Sequence, residues 1–284
     1  MLNATQLLRT EPAQSAPEVR GVKTSHHQFP GIVSKVVRLS PGRTLPSSFW
    51  EERLRQSLAN PPRVPWHEAT NISPAEVEAI RASIQEFQLG EQSEGRHLSK
   101  AAREHARESG DPAYFRAMQL FIREEQHHAA LLGRFMDAVG IARASRTFAD
   151  SVFRKLRRLT GLEVSICVLL TAEIIARVYY RALLLATRSP ALRAICHRIL
   201  DDEAGHVRFQ SERLAILRRK RPRFALLASM LLQGLLYAGS LLVVWRGHRA
   251  ALRAGGFSFG EFWKSCWREF RAALAWMDPA GYEW

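Results

Sequence analysis

The motif Glu-x-x-His occurs twice in the chain, at Glu125 and His128 and again at Glu203 and His206. Side chains three positions apart lie on the same face of a helix, about one turn from each other. Each motif can therefore direct one carboxylate and one imidazole at the same point. Burying such groups costs free energy unless their charge is compensated. A metal ion would compensate it, and the alternative is a set of ion-paired or solvent-facing groups.

The two motifs lie in matching sequence contexts. A helix-start signal, Asp-Pro-Ala at residues 111–113, begins 14 residues before Glu125. Ser-Pro-Ala at residues 189–191 begins 14 residues before Glu203. Both glutamates also follow a pair of apolar residues and an acid. These agreements predict two structural copies that are offset by 78 residues.

Each copy then needs a carboxylate from the helix that precedes its motif. Glu173 interrupts the apolar run VSICVLLTAEIIARV, 30 residues before Glu203, where an unpaired carboxylate would be unfavourable. In the first copy Glu94 lies 31 residues before Glu125, and Glu91 on the same helical face is the alternative.

The predicted ligand set has four carboxylates and two imidazoles. One acid from each of two helices, with Glu-x-x-His from each of two others, is the donor set of di-iron and di-manganese bundles. Oxygen-rich sites with some nitrogen favour Fe or Mn over a thiolate-type zinc site. We therefore predict two Fe ions, with Mn or a mixed Fe/Mn pair as alternatives. The predicted ligands are Glu94, Glu125, His128, Glu173, Glu203 and His206.

At these motifs the sequence resembles the ferritin-like di-iron superfamily. EEQHHAALL is similar to the second-helix motif of soluble acyl-carrier-protein desaturases, and DDEAGH to their Asp-Glu-x-x-His. Similar patterns occur in bacterial N-oxygenases, quinone-biosynthesis hydroxylases and ribonucleotide reductase small subunits. The resemblance covers about residues 75–217. It implies a ferritin-like four-helix bundle in which the motifs supply terminal and bridging ligands, while Glu94 and Glu173 complete the two irons.

The resemblance also gives a role to the acid before each motif glutamate. It implies that Glu124 accepts the ring N–H of His206 and that Asp202 accepts the ring N–H of His128. Such acceptors fix the imidazole tautomer and raise its basicity. For Glu124 the alternative is a solvated acid. His127 is not expected to be a ligand, because it points about 100° away from its neighbour around the helix.

One feature departs from the desaturases and multicomponent hydroxylases. Where they tend to have Thr, three or four residues after the third-helix glutamate, this chain has Ala176 and Arg177. That difference argues against a Thr-assisted proton delivery step. We expect Arg177 to face solvent, with an acid partner or a channel position as alternatives. Tyr179 and Tyr180 are expected to pack in the core, with a radical or substrate contact as the alternative.

Helix signals place these residues in an all-α fold. Ser73 and Glu76 form a capping box, and helical spacing of apolar residues continues from there to Ser109. Three further helices are predicted over residues 111–140, 160–187 and 189–220. Convincing strand alternation is absent from the sequence.

The chain divides into three predicted parts. Residues 1–70 form an extended or partly disordered arm, 71–220 the ferritin-like bundle, and 221–284 additional C-terminal helices on the bundle or at a membrane surface. Residues 224–245 are long enough to span a bilayer. Both flanks of that segment are basic, so the charge bias that orients a spanning helix is missing. We favour a fifth core helix, with a surface-embedded helix as the alternative.

The net charge of +14 indicates which kinds of binding partner the protein would attract. It suits an acidic acyl carrier protein or an anionic membrane surface, although a solvated basic face is an equal alternative; nucleic acid is not expected. The resemblance adds an electron-donating reductase or ferredoxin, and a homodimer is an open alternative. Three cysteines in apolar contexts suggest reduced thiols and a cytoplasmic location, with peripheral membrane association left open.

Together these features predict an O2-dependent non-haem di-iron oxidoreductase. An oxygenase, hydroxylase or desaturase acting on an organic substrate fits best, because the long basic tail exceeds what an iron-storage bundle needs. Three alternatives remain: a ferroxidase or peroxide-scavenging protein, a radical-generating subunit, and a non-enzymatic, membrane-associated helical adaptor.

Overall fold

The computed structural model describes residues 42–92, 95–145 and 161–284. All regular secondary structure in these ranges is helical, which confirms the all-α class. Two short 3-10 helices, Trp66–Glu68 and Pro279–Gly281, accompany the α-helices. The α-helices are α1 (Ser47–Ala59), α2 (Pro74–Glu91), α3 (Arg96–Ser109), α4 (Pro112–Ala138), α5 (Leu162–Ala186), α6 (Pro190–Arg218), α7 (Arg223–Ala254) and α8 (Phe259–Met277).

The predicted helix starts are confirmed by their capping contacts. The Ser73 side chain accepts a hydrogen bond from the backbone N–H of Glu76, whose carboxylate accepts one from the backbone N–H of Ser73. Asp111 and Ser189 cap α4 and α6, each accepting from the backbone N–H three residues further on. The two motif-bearing helices therefore begin at equivalent positions, as the repeat predicts.

The single helix predicted from Ser73 to Ser109 is wrong, because α2 ends at Glu91 and α3 begins at Arg96. Gly95 lies in the break with a φ of 60°, a left-handed conformation that favours glycine. A β-carbon on Gly95 would also lie 2.6 Å from Cδ1 of Ile122 on α4. A close contact with another helix thus accompanies the interruption.

Replacing Gly95 by Ala is expected to destabilise the protein by about 2–3 kcal/mol. The left-handed backbone costs a β-carbon roughly 1–2 kcal/mol, and overlap with Ile122 adds about 1 kcal/mol or more. Gly110→Ala is the matched control, because Gly110 has a φ of 70° but nothing within 4 Å of an added β-carbon. Urea unfolding followed by circular dichroism measures the stability of both variants. Equal losses of unfolding free energy would contradict a contribution from the overlap with Ile122.

The predicted N-terminal arm differs from the structure where it is described. Residues 1–41 lie outside the described residues, but α1 occupies Ser47–Ala59 and packs on α4. Trp50 and Leu54 are buried on its inner face, and the Trp50 ring lies 5.4 Å from that of Phe209 on α6. This part of the arm is therefore a packed helix rather than an extended segment.

Four helices surround the predicted ligands. Helix α2 contacts α4 and α5, and α6 contacts the same two helices, which closes a ring. Helix α7 packs on α2 and α5, whereas α8 packs on α5 and α6. The apolar segment at residues 224–245 lies within α7, whose length and composition alone would allow it to cross a membrane. Only 28% of its most apolar window is buried, so α7 covers the other helices with one face.

Candidate metal centre

The four surrounding helices bring six acidic and histidine side chains together between them. Their ligand atoms form two overlapping sets, and within each set all atoms lie within 4.8 Å of one another. Glu125 and Glu203 belong to both sets. The cluster consists of Glu91 from α2, Glu125 and His128 from α4, Glu173 from α5, and Glu203 and His206 from α6.

The two sets have the composition expected of a site for two ions. The first adds Glu91 and His128 to the shared carboxylates. The second adds Glu173 and His206. One acid and one imidazole are thus particular to each set, while Glu125 and Glu203 are common to both.

The structure brings together five of the six predicted ligands. The sixth, Glu94, lies outside the described residues. Glu91, the alternative acid on the same predicted face, lies in the cluster instead. Glu91 is the last residue of α2, so the helix break that sequence periodicity missed follows directly after the acid that faces the cluster.

Each histidine directs Nδ1 at the shared carboxylates. Nδ1 of His206 lies 3.1 Å from Oε1 of Glu125 and 3.6 Å from Oε2 of Glu203. Nδ1 of His128 lies 3.7 Å from Oε1 of Glu125 and 3.9 Å from Oε1 of Glu203. The two oxygens of Glu203 therefore face different imidazoles, and the imidazole centroids are 5.9 Å apart.

Several polar atoms that face the cluster lack hydrogen-bond partners within the described residues. They are Nδ1 of His128 and His206, both carboxylate oxygens of Glu203, and Oε1 of Glu125. Buried polar atoms are nearly always paired, and leaving one unpaired costs about 1–3 kcal/mol. Two cations between the helices would satisfy all five atoms. The residues present therefore fit a metal pair.

The opposite nitrogen of each imidazole contacts a carboxylate from the other motif. Nε2 of His206 lies 2.7 Å from Oε2 of Glu124, and Nε2 of His128 lies 2.9 Å from Oδ2 of Asp202. Both crossing contacts that the resemblance implies are present. Glu124 is only 1% exposed, so the solvated alternative for this acid is wrong. With Nε2–H donating, Nδ1 keeps its lone pair for a metal ion.

Two residues that sequence reasoning missed hold these outer carboxylates. Arg198 donates from Nε to Oδ2 of Asp202 at 2.5 Å and from Nη2 to Oγ of Ser57 at 2.6 Å. Ser57 in turn contacts both Asp202 and Glu124. The four-residue spacing of Arg198 and Asp202 could have revealed the arginine. No sequence signal pointed to Ser57, which comes from the predicted arm.

Other predicted neighbours of the site have mixed outcomes. The Tyr180 hydroxyl donates to Oε1 of Glu91 at 2.7 Å, so this core tyrosine also orients a candidate ligand. Tyr179 is fully buried and stacks on an aromatic ring of α2. Arg177 is only partly exposed and has the acid partner that was the alternative to facing solvent, because its Nε donates to Glu269 on α8 at 3.0 Å.

A small cavity of about 20 Å³ lies beside the outer carboxylates, which is room for about one water molecule. Its walls include Trp50, Arg53 and Phe209, and it reaches Glu124 and His206. The lining includes Glu124 and Asp202 but neither of the carboxylates shared by the two sets, so the cavity lies on the side of the outer acids.

Without metal the cluster retains protons. Burial, and then the neighbouring carboxylates, raise the pKa of Glu125 and of Glu203 well above the usual range. Burial alone would lower the pKa of His128, but its interactions with acids, led by the hydrogen bond to Asp202, outweigh burial and raise that pKa to about 10. The same balance raises the pKa of His206. A metal ion must therefore displace protons from this site.

Metal affinity is expected to rise with pH, because ligands bind in their deprotonated forms. Below a pH of about 10 the protonated form of His128 predominates, so the apparent affinity for metal decreases as the pH is lowered. One displaced proton changes the affinity by about tenfold per pH unit. Calorimetry in buffers of different ionisation enthalpy measures the released protons. Equal metal affinity at pH 6 and pH 8, with no proton release, would contradict the raised pKa values of the cluster's glutamates and histidines.

Known proteins offer no independent assignment of the site. No protein-family model matches the chain, and neither a curated protein nor a solved structure matches it significantly. The described structure establishes an all-α fold with a buried Glu/His cluster that could hold a metal ion.

Proposed function

We propose that this protein is an O2-dependent oxidoreductase with a carboxylate-bridged pair of iron or manganese ions. The observation that supports the proposal is the sharing of Glu125 and Glu203 by two sets that each contain one further acid and one histidine. Glu91 and His128 would hold one ion, and the corresponding pair on α5 and α6 would hold the other. This arrangement matches the donor pattern of ferritin-like di-iron bundles, which we propose as the fold family.

The charges of the site suit two divalent cations. Four carboxylates can neutralise two such ions, and Fe and Mn accept mixed oxygen and nitrogen donors. Outside this set, Arg198 contacts Glu124 at 3.5 Å and Asp202 at 2.5 Å, which offsets part of their negative charge. The resulting balance would let dications bind without leaving a large uncompensated charge in the core.

When bound, such a metal pair supplies one-electron and O2 chemistry. The surrounding residues orient the ligands and keep water away. Glu124 and Asp202 hold the imidazole tautomers, and Tyr180 holds Glu91. His128 and Glu203 are wholly buried, so the protein itself provides the water-excluded surroundings that a reactive oxidant needs.

The proposal extends to an organic substrate and an external electron donor. Hydroxylation of C–H, desaturation of an acyl chain and oxygenation of an amine are the candidate reactions, and a reductase or ferredoxin is the candidate donor. The net charge of +14 supports an acidic partner such as an acyl carrier protein. Three free cysteines support a reducing, cytoplasmic location. These are Cys167, Cys196 and Cys266.

Metal titration followed by turnover tests this proposal. Anaerobic titration of the metal-free protein with Fe(II) or Mn(II) is expected to end at about two ions per chain. Glu203→Gln is expected to abolish stoichiometric binding, whereas Glu104→Gln, at an exposed position on α3, leaves it unchanged. The absence of stoichiometric binding in the unsubstituted protein would contradict the metal centre.

O2 consumption with a reductant then distinguishes the candidate activities. Acyl carrier thioesters, amines and lipid quinones are the substrates to compare, with product analysis by mass spectrometry. Oxygenated or desaturated product supports the proposal. Rapid Fe(II) oxidation that forms no organic product with any of these substrates would favour a ferroxidase instead.

A further inference from the structure

Helix α7 carries an apolar face that the rest of the described protein leaves uncovered. Seven large apolar side chains on this helix are each at least 45% exposed. They extend over residues 224–243, about 29 Å along the helix axis. We call this set the outer stripe. It consists of Phe224, Leu227, Leu231, Leu232, Leu235, Leu242 and Val243.

Helix α7 is apolar on its outer face as well as on its inner face, where Tyr237, Leu241 and Val244 are buried. Gln233 and His248 are buried on its inner face, where they contact Arg218 and Ser83, respectively. A helix on a water-facing surface normally buries its apolar side chains and exposes its polar ones. A continuous exposed apolar patch of this size marks an interaction surface.

Basic residues bracket the outer stripe at both ends. The sequence contains no acid between Glu212 and Glu261, so no acid within this segment offsets the basic charges at its two ends. Positive charges at both ends of an apolar face complement the phosphate groups of an anionic bilayer. The exposed basic residues are Arg219, Lys220, Arg221 and Arg223 before the stripe, and Arg246, Arg249 and Arg253 after it.

An aromatic cluster lies at the C-terminal end of the stripe. The centroid of the Trp245 ring lies 5.5 Å from the centroid of the Phe259 ring on α8. The Phe259 ring in turn lies 5.7 Å from the ring of Trp263, also on α8. Aromatic rings of this kind favour the headgroup level of a bilayer. Two neighbouring helices therefore present interfacial side chains near each other.

We propose that α7 lies in the plane of an anionic membrane surface, with the outer stripe at the acyl boundary and the basic ends among the headgroups. An in-plane helix of this type buries its apolar face about 5–10 Å deep. A spanning orientation fits less well, because Gln233 and His248 on the opposite face are bonded to the other helices. A second copy of the chain fits less well too, because pairing along the stripe would bring basic ends together.

Vesicle co-sedimentation of the full-length protein tests this assignment. Wild type is expected to bind phosphatidylcholine–phosphatidylglycerol vesicles more tightly than pure phosphatidylcholine vesicles, and less tightly as salt increases. The double variant L231Q/L235Q is expected to lose about tenfold or more of the affinity. Leu185→Gln is the matched control, because Leu185 is 48% exposed on α5, outside the stripe.

Three results would overturn the proposal: no vesicle binding by wild type, equal binding by the double variant, or equal loss in the control. Light scattering without lipid examines the second-copy alternative. A wild-type dimer that the double variant converts to a monomer, with no lipid binding by either, would assign the stripe to self-association. Circular dichroism verifies folding, and unchanged metal stoichiometry in the double variant separates this surface from the metal centre.

Discussion

Glu203→Met is expected to make the metal-free protein more stable and to abolish its stabilisation by metal. Glu203 is fully buried, and both of its carboxylate oxygens lack hydrogen-bond partners among the described residues. Removing such a group relieves a penalty of about 1–3 kcal/mol, and methionine fills a similar space. Each kcal/mol corresponds to a melting-temperature increase of about 2–4 °C in a protein of this size.

The same substitution removes a ligand from both sets, so added metal should no longer raise the melting temperature. At a free metal concentration of about 1,000 times the dissociation constant, binding of one ion would stabilise the wild type by roughly 4 kcal/mol. Differential scanning calorimetry with and without Fe(II) or Mn(II) measures both effects. Glu104→Met controls for loss of an exposed glutamate and is expected to change neither. A destabilised metal-free variant that still gains stability with metal would contradict a ligand role for Glu203.

Arg198→Met is expected to destabilise the protein by about 3–5 kcal/mol, because it leaves a buried charge network without its cation. Arg198 is 13% exposed at its side chain and bonds to Asp202. It also donates to the backbone carbonyls of Ser57 and Asn60. Its loss leaves these acceptors and Glu124 with fewer donors. Urea unfolding measures the change, and metal affinity is expected to fall as well, because the imidazoles lose fixed partners.

Arg55→Met is the matched control for this effect. Arg55 contacts Glu51 and Glu52 at 2.6 and 2.5 Å, as short as the contacts of Arg198, but its side chain is 53% exposed. The Arg55–Glu52 pair is exposed on both sides, and Glu51 keeps its contact with Arg116 when Arg55 is replaced, so the expected loss is about 0–1 kcal/mol. A similar loss of stability for the two arginine variants would show that burial does not determine the strength of the Arg198 network.

Much of the arrangement around the candidate site follows from local sequence rules. Capping residues and apolar spacing predict α4, α5 and α6 over residues 111–140, 160–187 and 189–220, and the helices lie within those ranges. The i, i+3 spacing places each motif acid and histidine on one helical face. An acid within an apolar run, such as Glu173, indicates a buried functional group because burial of a lone carboxylate is unfavourable. These inferences need only neighbouring residues.

Tertiary contacts decided what local rules left open. The break after Glu91 involves the approach of Gly95 to Ile122 on another helix, and it places Glu91 rather than a later residue at the end of α2. Ser57 reaches Asp202, 145 residues further along the chain. The outward apolar face of α7 became apparent only when its neighbours were in place. Helical periodicity reports which side chains share a face, whereas the surroundings of that face depend on segments far away in the sequence.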